Sequence, residues 1–234
     1  MPSIRLDKVS KLYHFKEYDH MAIRRINLTV EQGEFLFLVG SRGAGKSTLM
    51  NIMAGVMVPD HGAVFLDETD VKTLKPKERE TAFAPISFIK QGADLNLADT
   101  VYGNLSEETK GFLFIRRKTL NKELADKALG VVGVPDSGDI YPRDLSSSER
   151  RRVLIAKAIL KSPAVLLLDD FTDRMDEDTI WDMLHLLNEM NRKGTTIVMS
   201  TNSSYVVNTM RRRVVTLADG AIVGDVKKGR YGYI

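Results

Sequence analysis

The 234-residue sequence contains no cysteine and a single tryptophan. The absence of cysteine excludes disulfide bonds, thiolate catalysis and cysteine-ligated metal sites. The four histidines are scattered along the chain, so a histidine metal site is not predicted. No apolar run approaches the roughly 20 residues that a transmembrane helix needs, and the first residues have no signal-peptide core. From these absences we expect a cytoplasmic protein.

The composition is that of an ordinary globular chain, with 43% hydrophobic and 28% charged residues. This length allows one α/β domain with an inserted lobe. The net charge of +3 arises from clusters of basic residues, at positions 116–118, 150–152, 211–213 and 227–228. Such clusters are usually solvated surface. They also suit an anionic membrane surface better than nucleic acid, because no aromatic-rich basic motif accompanies them.

Residues 40–47 read G-S-R-G-A-G-K-S, which fits the pattern G-x-x-x-x-G-K-[ST], and the run 34–39 leads directly into them. Glycines in such a loop let backbone N–H groups surround phosphate oxygens at the start of a helix. Lys46 adds a positive charge, and the Ser47 hydroxyl can ligate Mg²⁺. The alternative is a chance glycine-rich turn, but a strand before and a helix after are the context that the motif requires. The pattern predicts that the chain binds a nucleoside triphosphate.

The hydrophobic pattern divides the chain into strands and helices. The predicted strands are residues 4–9, 26–30, 34–39, 63–66, 86–89, 164–168, 195–200, 214–217 and 221–226. The predicted helices are residues 46–54, 76–84, 121–131, 146–160 and 176–192. We therefore expect an α/β fold with a mainly parallel core sheet, an N-terminal antiparallel β part and an inserted helical lobe. The expected core lobe is about 1–93 and 162–234, and the helical lobe is about 94–161.

An apolar strand ends in two adjacent carboxylates, Asp169 and Asp170. In phosphoryl-transfer enzymes, the first such acid orients Mg²⁺ and a neighbouring carboxylate polarises the attacking water. The alternative is that these acids only cap a strand where it leaves the sheet. With a phosphate loop in the same chain, the pair predicts a metal aspartate at Asp169 and a base at Asp170.

In order and spacing, the motifs resemble those of an ABC-type ATPase over essentially the whole chain. They are the phosphate loop, Gln91 after a strand, the stretch 145–149, Asp169 and Asp176. Within that family the resemblance is greatest to the FtsE-type ATPases of cell division. It implies a P-loop NTPase fold of ABC type, ATP hydrolysis with ATP and Mg²⁺, and a homo- or heterodimer. It also implies an FtsX-like membrane partner, a peripheral location on the inner face of the cell membrane through that partner, and no nucleic acid.

The resemblance assigns roles to individual residues. Tyr13 matches the aromatic residue that stacks on adenine, Gln91 matches the glutamine that reaches Mg²⁺ and the attacking water, and Asp176 matches an aspartate at the dimer interface. The implied nucleotide-binding residues are Tyr13, Gly40, Ser41, Arg42, Gly43, Ala44, Gly45, Lys46, Ser47, Thr48, Ser146 and Ser148. The implied metal-binding residues are Ser47, Gln91 and Asp169, and the implied catalytic residues are Lys46, Gln91, Asp170 and Asn202.

The signature stretch departs from the family pattern. The family reads L-S-G-G-[QE], whereas this chain reads L-S-S-S-E. Ser147 and Ser148 add Cβ atoms where the backbone of the family approaches the γ-phosphate. Ser146 and Glu149 still form the pattern of a capping box, so we expect the helix to begin there.

Two further departures fall on positions implied to be catalytic. Asp170 stands where most members carry Glu, and its carboxylate is drawn back by roughly 1 Å, which can cost on the order of 10²-fold in rate. Asn202 stands at the switch histidine, where it can donate a hydrogen bond but cannot carry a charge. We expect ATP binding with weakened hydrolysis. A slow homodimer, a degenerate half of a heterodimer and a nucleotide-sensing subunit all fit, as does an ATPase of lipoprotein-release or efflux type.

Two stretches are candidates for contact with the membrane partner, residues 100–102 and 111–118. The second joins four apolar residues to three basic ones, which suits a coupling helix near an anionic bilayer. The alternative is that these apolar residues pack the helical lobe.

Overall fold

The structure is a computed structural model that describes residues 3–111, 121–172 and 175–232. Its strands are β1 (Ile4–His14), β2 (Asp19–Val30), β3 (Phe35–Val39), β4 (His61–Leu66), β5 (Thr69–Asp70), β6 (Ile86–Ile89), β7 (Val165–Asp169), β8 (Thr196–Ser200), β9 (Arg213–Ala218) and β10 (Ala221–Val226). Its α-helices are α1 (Lys46–Met53), α2 (Pro76–Phe83), α3 (Val101–Gly111), α4 (Lys122–Val131), α5 (Ser147–Ile159), α6 (Glu177–Arg192) and α7 (Ser204–Met210).

The strands form two sheets. An antiparallel sheet has the order β2-β1-β4-β5, and a six-stranded sheet has the order β10-β9-β3-β8-β7-β6. In the larger sheet β9, β3, β8, β7 and β6 run parallel, and β10 pairs antiparallel with β9 at one edge. The predicted α/β fold, with a mainly parallel core sheet and an antiparallel N-terminal part, is therefore confirmed.

The three central parallel strands are buried along their whole length. Every residue of β3, β7 and β8 is buried, as continuous apolar strands covered on both faces must be. In the parallel ladders Leu38 lies opposite Ser200, and Ser200 lies opposite Asp169. The carboxyl ends of β3, β8 and β7 therefore lie side by side, and parallel α/β sheets bind their ligands at such an edge.

Strands β1 and β2 are longer than their predicted counterparts, 4–9 and 26–30. The ladder between them contains register shifts, and Lys8 and Arg25 adopt left-handed φ values of 49° and 45°. A bulge places neighbouring residues on the same face of a sheet, which breaks the alternation of apolar and polar residues. Val9 and Ser10 are both buried, for example. The alternation of apolar and polar residues therefore predicts only the part of each strand on one side of its bulge.

Helices α3 and α7 were not predicted. Helix α7 follows Ser203, whose hydroxyl accepts a hydrogen bond from the Val206 N–H at 3.4 Å, so an N-cap signal was present. The turn before α3 is held by the buried side chain of Asn104, whose amide donates to Thr100 O at 2.9 Å and accepts from Asn96 N–H at 2.7 Å. Such a contact leaves no periodic pattern in the sequence.

The chain divides into two compact units. The first comprises Met1–Gln91, Ala164–Arg174 and Met190–Ile234, and the second comprises Gly92–Pro163 and Met175–Glu189. The expected core lobe, about 1–93 and 162–234, includes the stretch Met175–Glu189, which lies in the second unit. In the second unit Arg152 of α5 donates to Asp182 of α6 at 2.8 Å, which ties the two helices together. Among the described residues, no helix is long and apolar enough to cross a membrane.

One arginine joins the two sheets within the first unit. An Arg213 NH1 group donates to Thr29 O at 2.8 Å and to the Glu34 carboxylate at 3.0 and 3.1 Å. Its Nε and NH2 groups donate to the two oxygens of Asp225 at 2.7 and 2.6 Å. The hydrogen bonds to Asp225 raise the pKa of the guanidinium, burial opposes that rise, and Glu34 adds to it. Arg213, the third arginine of the basic cluster 211–213, therefore connects the two sheets through hydrogen bonds.

We expect Arg213→Ala to lower the free energy of unfolding by about 2 kcal/mol, because two carboxylates and a carbonyl lose their donor. Urea titration and thermal unfolding would measure the change. The control is Arg143→Ala, whose ion pair with Asp144 at 3.9 Å is more than 60% exposed on both sides and should contribute less than about 0.5 kcal/mol. Equal losses in the two variants would contradict the structural role of Arg213.

Candidate functional site

The loop between β3 and α1 has the strand-loop-helix context that the sequence predicted. Gly40 and Gly45 are glycines because neighbouring strands approach them closely. A Cβ would lie 2.2 Å from Leu217 O at Gly40 and 2.5 Å from Ala22 O at Gly45. Gly45 also has a φ of 102°, a conformation that side chains rarely adopt. The ends of the loop are thus held by the backbone of β9 and β2.

Gly43 is a glycine for a different reason. Its φ is 84°, and a Cβ there would meet no atom within 4 Å. The loop therefore leaves open space at this residue, and the left-handed turn favours backbone N–H groups that point into one concavity. Backbone concavities of this kind, here called the cradle, bind anions such as phosphate.

Lys46, the first residue of α1, is only 6% exposed. Its ammonium donates to Gly40 O at 2.7 Å and to Ser41 O at 3.1 Å, so it spans the loop from the inside. Burial lowers the pKa of Lys46, and the negative charges of Asp170 and Asp169 oppose that shift. The structure therefore brings together the lysine and the two acids that the sequence singled out.

The ring of Tyr13 is half-buried beside α1. Its hydroxyl lies 3.3 Å from Thr48 Oγ1 and donates to Met57 Sδ at 3.4 Å. Two further rings, which the sequence analysis did not single out, lie in the turn between β1 and β2. Phe15 and Tyr18 are 52% and 62% exposed and stack with their centroids 5.0 Å apart. Of these three rings, only Tyr13 is hydrogen-bonded to a residue of the predicted nucleotide-binding set among the described residues.

Asp169 is the last residue of β7 and Asp170 follows it, and the two acids have different environments. Asp169 is 3% exposed and accepts a hydrogen bond from the Ser200 hydroxyl at 2.5 Å. Asp170 has a left-handed φ of 45°, which aspartate tolerates better than most residues, and its Oδ2 accepts from Gln91 Nε2 at 3.2 Å. The structure thus brings the Gln91 amide to the Asp170 carboxylate.

The signature stretch lies in the second unit, where Ser146 caps α5. Glu149 N–H donates to the Ser146 hydroxyl at 3.2 Å, and Ser146 N–H donates to the Glu149 carboxylate at 2.8 Å. The predicted capping box is therefore confirmed, and the hydrogen bonds from Ser146 lower the pKa of Glu149. Ser147 is exposed, whereas the Ser148 hydroxyl donates to Thr179 Oγ1 at 3.4 Å. One of the two unexpected serines thus bonds within its own unit.

Asp176 precedes α6 and is bonded to the same threonine. Its carboxylate accepts from Thr179 N–H at 2.8 Å and from the Thr179 hydroxyl at 2.8 Å. The hydrogen bond from the Thr179 N–H, and to a smaller extent the bond from the Thr179 hydroxyl, lower the pKa of the Asp176 carboxyl group. An aspartate that accepts the N–H three residues later satisfies the start of a helix. Asp176, Thr179 and Ser148 therefore form one chain of hydrogen bonds.

Asn202 is exposed in the segment between β8 and α7. The preceding Thr201 is buried, and its N–H donates to Leu38 O at 3.2 Å. Asn202 thus follows directly from the carboxyl edge of the parallel sheet, where β3 and β7 also end. The structure places this side chain in solvent.

The first of the two candidate coupling stretches, residues 100–102, makes contacts within the helical unit. Val101 is fully buried, and the Tyr102 hydroxyl donates to Asp126 of α4, which raises the pKa of Tyr102 to about 12. The Lys122 ammonium also lies 4.7 Å from the centre of the Tyr102 ring. These contacts connect Tyr102 to α4 within the helical unit. Of the second stretch, 111–118, positions 112–118 lie outside the described residues.

Comparisons with known proteins identify a family model and relatives that match the chain. Residues 23–173 match the family model described as ABC transporter. The cell division ATP-binding protein FtsE of Streptococcus pneumoniae serotype 2 is 33% identical over 220 residues, which cover 93% of this chain and 95% of that protein. The methionine import ATP-binding protein MetN 2 of Rhodococcus jostii is 34% identical over 95% of this chain, but only 65% of that protein is covered.

A solved dimeric ATP-binding cassette, in a post-hydrolysis state bound to ADP and Pi, superposes with a TM-score of 0.84 at 26% sequence identity. The match covers 97% of this chain and 100% of that one. The family and the fold that the motifs predicted are thus both confirmed. The chain belongs to the ABC transporter family, and its fold is that of an ABC ATPase cassette.

Proposed function

We propose that the chain is the ATP-binding subunit of a membrane-associated ABC complex of FtsEX type, which binds ATP·Mg²⁺ at a dimer interface. The observation that carries this proposal is the open cradle at Gly43, beside a buried lysine and the acidic end of β7. The FtsE relative supports the cell-division branch, because that protein and this chain match over nearly their whole lengths. MetN 2 is a longer protein of which one third is left unmatched.

In this proposal the loop between β3 and α1 binds the phosphates. The backbone of residues 40–45 surrounds the phosphate oxygens, and the buried ammonium of Lys46 moves from its two loop carbonyls to the β- and γ-phosphates. Four further residues contribute to nucleotide binding through their positions in the loop and the first turn of α1, namely Ser41, Arg42, Ala44 and Thr48. The ring of Tyr13, held beside Thr48, provides the surface on which adenine stacks.

Mg²⁺ fits the donors at this edge of the sheet. Among the residues that the structure describes, no cluster of three His, Cys, Asp or Glu side chains would hold a metal on its own. A magnesium ion bound with a nucleotide needs only one or two protein ligands besides phosphate oxygens and water. The Ser47 hydroxyl, the Asp169 carboxylate and Gln91 would hold it. Once bound, it neutralises charge that develops on the transferred phosphoryl group.

Asp170 is the candidate base for the attacking water. Its carboxylate accepts a hydrogen bond from Gln91, and that bond orients one carboxylate oxygen. Asn202 would donate a hydrogen bond to a γ-phosphate oxygen, with no charge to add. Both groups are weaker versions of the family's Glu and His, so we propose that turnover is slow.

The chain would lie on the inner face of the cell membrane through an FtsX-like partner. Residues 100–102 are engaged within the helical unit, so the proposed contact with the partner falls mainly on residues 111–118. The second subunit of the dimer would place its Ser146 and Ser148 near the γ-phosphate. No nucleic acid is part of this proposal.

A second candidate function is a nucleotide-binding half of a heterodimer with negligible turnover of its own. The hydrogen bond from Ser148 to Thr179 favours it, because a hydroxyl engaged within its own unit is not free to contact phosphate. In that case ATP-driven closure, rather than hydrolysis, would be the function of this chain. A transporter ATPase of lipoprotein-release or efflux type is the remaining alternative.

Identifying the membrane partner distinguishes an FtsEX-type complex from a transporter of another ABC branch. We expect the chain to co-purify with an FtsX-like membrane protein and its phosphate release to rise in that complex. A methionine-import permease, the matched control, should neither bind nor stimulate. Lys46→Ala should abolish phosphate release without weakening the complex, because the phosphates lose their buried cation. Stimulation by the permease alone, or release that Lys46→Ala leaves unchanged, would contradict the proposal.

If turnover is limited by the substituted positions, restoring them should create it. We expect the combined variant Ser147→Gly, Ser148→Gly, Asp170→Glu and Asn202→His to raise kcat by about 10²-fold, since the base regains its reach. Steady-state phosphate release measures this, and ATP affinity by calorimetry serves as the control for folding. A variant that binds ATP normally and remains inert would contradict the assignment of these positions.

Gly43→Ala should weaken ATP binding about 10-fold or more, because the methyl group enters the phosphate cradle. The matched control is Gly33→Ala, at the opposite end of β3, where φ is also left-handed at 72° and the nearest atom to a Cβ is 4.0 Å away. Both changes carry a similar backbone strain of about 1 kcal/mol. Calorimetry should show loss of affinity for Gly43→Ala only. Similar affinities for the two variants would place the phosphates elsewhere.

A further inference from the structure

Ser200 is a buried polar side chain to which the proposed function assigns no role. It is the last residue of β8, it is 0% exposed, and it lies opposite Asp169 in the parallel ladder. Its hydroxyl donates to Asp169 Oδ1 at 2.5 Å and accepts from the Asp170 N–H at 2.9 Å. One hydroxyl therefore contacts both acids, the side chain of Asp169 and the backbone N–H of Asp170.

The two bonds use the hydroxyl in opposite senses. An ionised carboxylate can only accept, so the single proton of Ser200 is committed to Asp169. A lone pair then remains to receive the Asp170 N–H. The arrangement fixes the direction of the hydroxyl, because rotation away from either partner would leave a buried polar group unsatisfied.

The backbone of Asp170 needs such a support. Its φ of 45° is a left-handed conformation that is uncommon outside glycine, and such conformations persist where the surroundings determine them. The bond from Asp170 N–H to Ser200 determines one end of this residue, and the bond from Gln91 to its carboxylate determines the other. Together they set the direction in which the carboxylate leaves the strand.

We propose that Ser200 is a positioning residue of the nucleotide site, which holds the Asp169 carboxylate and the left-handed turn at Asp170 in the arrangement that Mg²⁺ and the attacking water require. This inference rests on the proposed function for its catalytic consequence, but the turn itself exists without nucleotide. Partners that orient a metal ligand are commonly worth 10- to 100-fold in metal affinity or activity. Ser200 acts through the two acids and does not itself touch substrate.

The chain offers a matched control. Ser87 on β6 is a second serine of the same sheet, 3% exposed, and its hydroxyl has no hydrogen-bond partner among the described residues. Ser87→Ala and Ser200→Ala remove the same atom from equally buried positions. Only the second change removes bonds to the acids, so any difference between the variants reports those bonds.

The first measurement uses the nucleotide-free chain. Hydrogen exchange of the Asp170 amide, followed by NMR, should be at least about 10-fold faster in Ser200→Ala than in the wild type, and unchanged in Ser87→Ala. Unchanged exchange in Ser200→Ala would overturn the proposal. A wild-type chain that binds no ATP·Mg²⁺ would overturn the proposed function, whereas the exchange rate would still decide whether Ser200 holds this turn.

The second measurement separates positioning from general stability. We expect Ser200→Ala to raise the Mg²⁺ concentration needed for half-maximal ATP binding by about 10-fold, while ATP binding in EDTA stays unchanged. In steady-state kinetics kcat should fall by about 10- to 100-fold with KM for ATP nearly unchanged. Equal effects of Ser87→Ala, or loss of ATP binding in EDTA, would mean that the change acts through stability and would overturn the proposal.

The conservative variants complete the test. Ser200→Thr keeps the hydroxyl and should retain the wild-type Mg²⁺ requirement, although its extra methyl group must fit a fully buried site. Ser200→Cys keeps the shape but is a weak donor, so it should behave like Ser200→Ala. A folded Ser200→Thr that loses as much as Ser200→Ala, or a Ser200→Cys as active as the wild type, would show that the hydroxyl bonds do not carry the effect.

Discussion

The parallel pairing of β3, β8 and β7 is the constraint on which the candidate site depends. Its register sets Leu38 opposite Ser200 and Ser200 opposite Asp169, so the loop of residues 40–45 and the two acids leave the same edge of the sheet. A shift of one residue in either ladder would turn the Asp169 carboxylate to the opposite face of the sheet. Complete burial of all three strands opposes such a shift, because it would also misplace their packed side chains.

Much of this arrangement could be predicted from sequence because it follows from local patterns. Buried parallel strands appear as continuous apolar runs, and the phosphate loop and the capping box at Ser146 have fixed spacings. The bulges at Lys8 and Arg25 could not be found in this way, because they break the alternation that marks a strand. The bond from Ser200 to Asp169 joins residues 31 positions apart and has no local signature.

Two of the substituted positions of the family pattern, Ser148 and Asp170, take part in local hydrogen bonds. Ser148 is bonded to Thr179, which is bonded to Asp176, so the starts of α5 and α6 are connected within the helical unit. Asp170 adopts a backbone conformation that short polar residues tolerate well. These residues therefore fit their surroundings, and the departures from the family pattern do not disturb the fold.

The way in which the phosphate loop is held has a consequence for how the chain can change. The atoms that a Cβ at Gly40 or Gly45 would meet first are the carbonyl oxygens of Leu217 and Ala22, which belong to the main chain. Every type of residue supplies the same main-chain carbonyl, whatever its side chain. The shape of the loop is therefore set by the paths of β9 and β2, and it is insulated from the identity of the side chains at those two positions. The side chains of residues 22 and 217 can therefore change while their carbonyl groups still bound the loop.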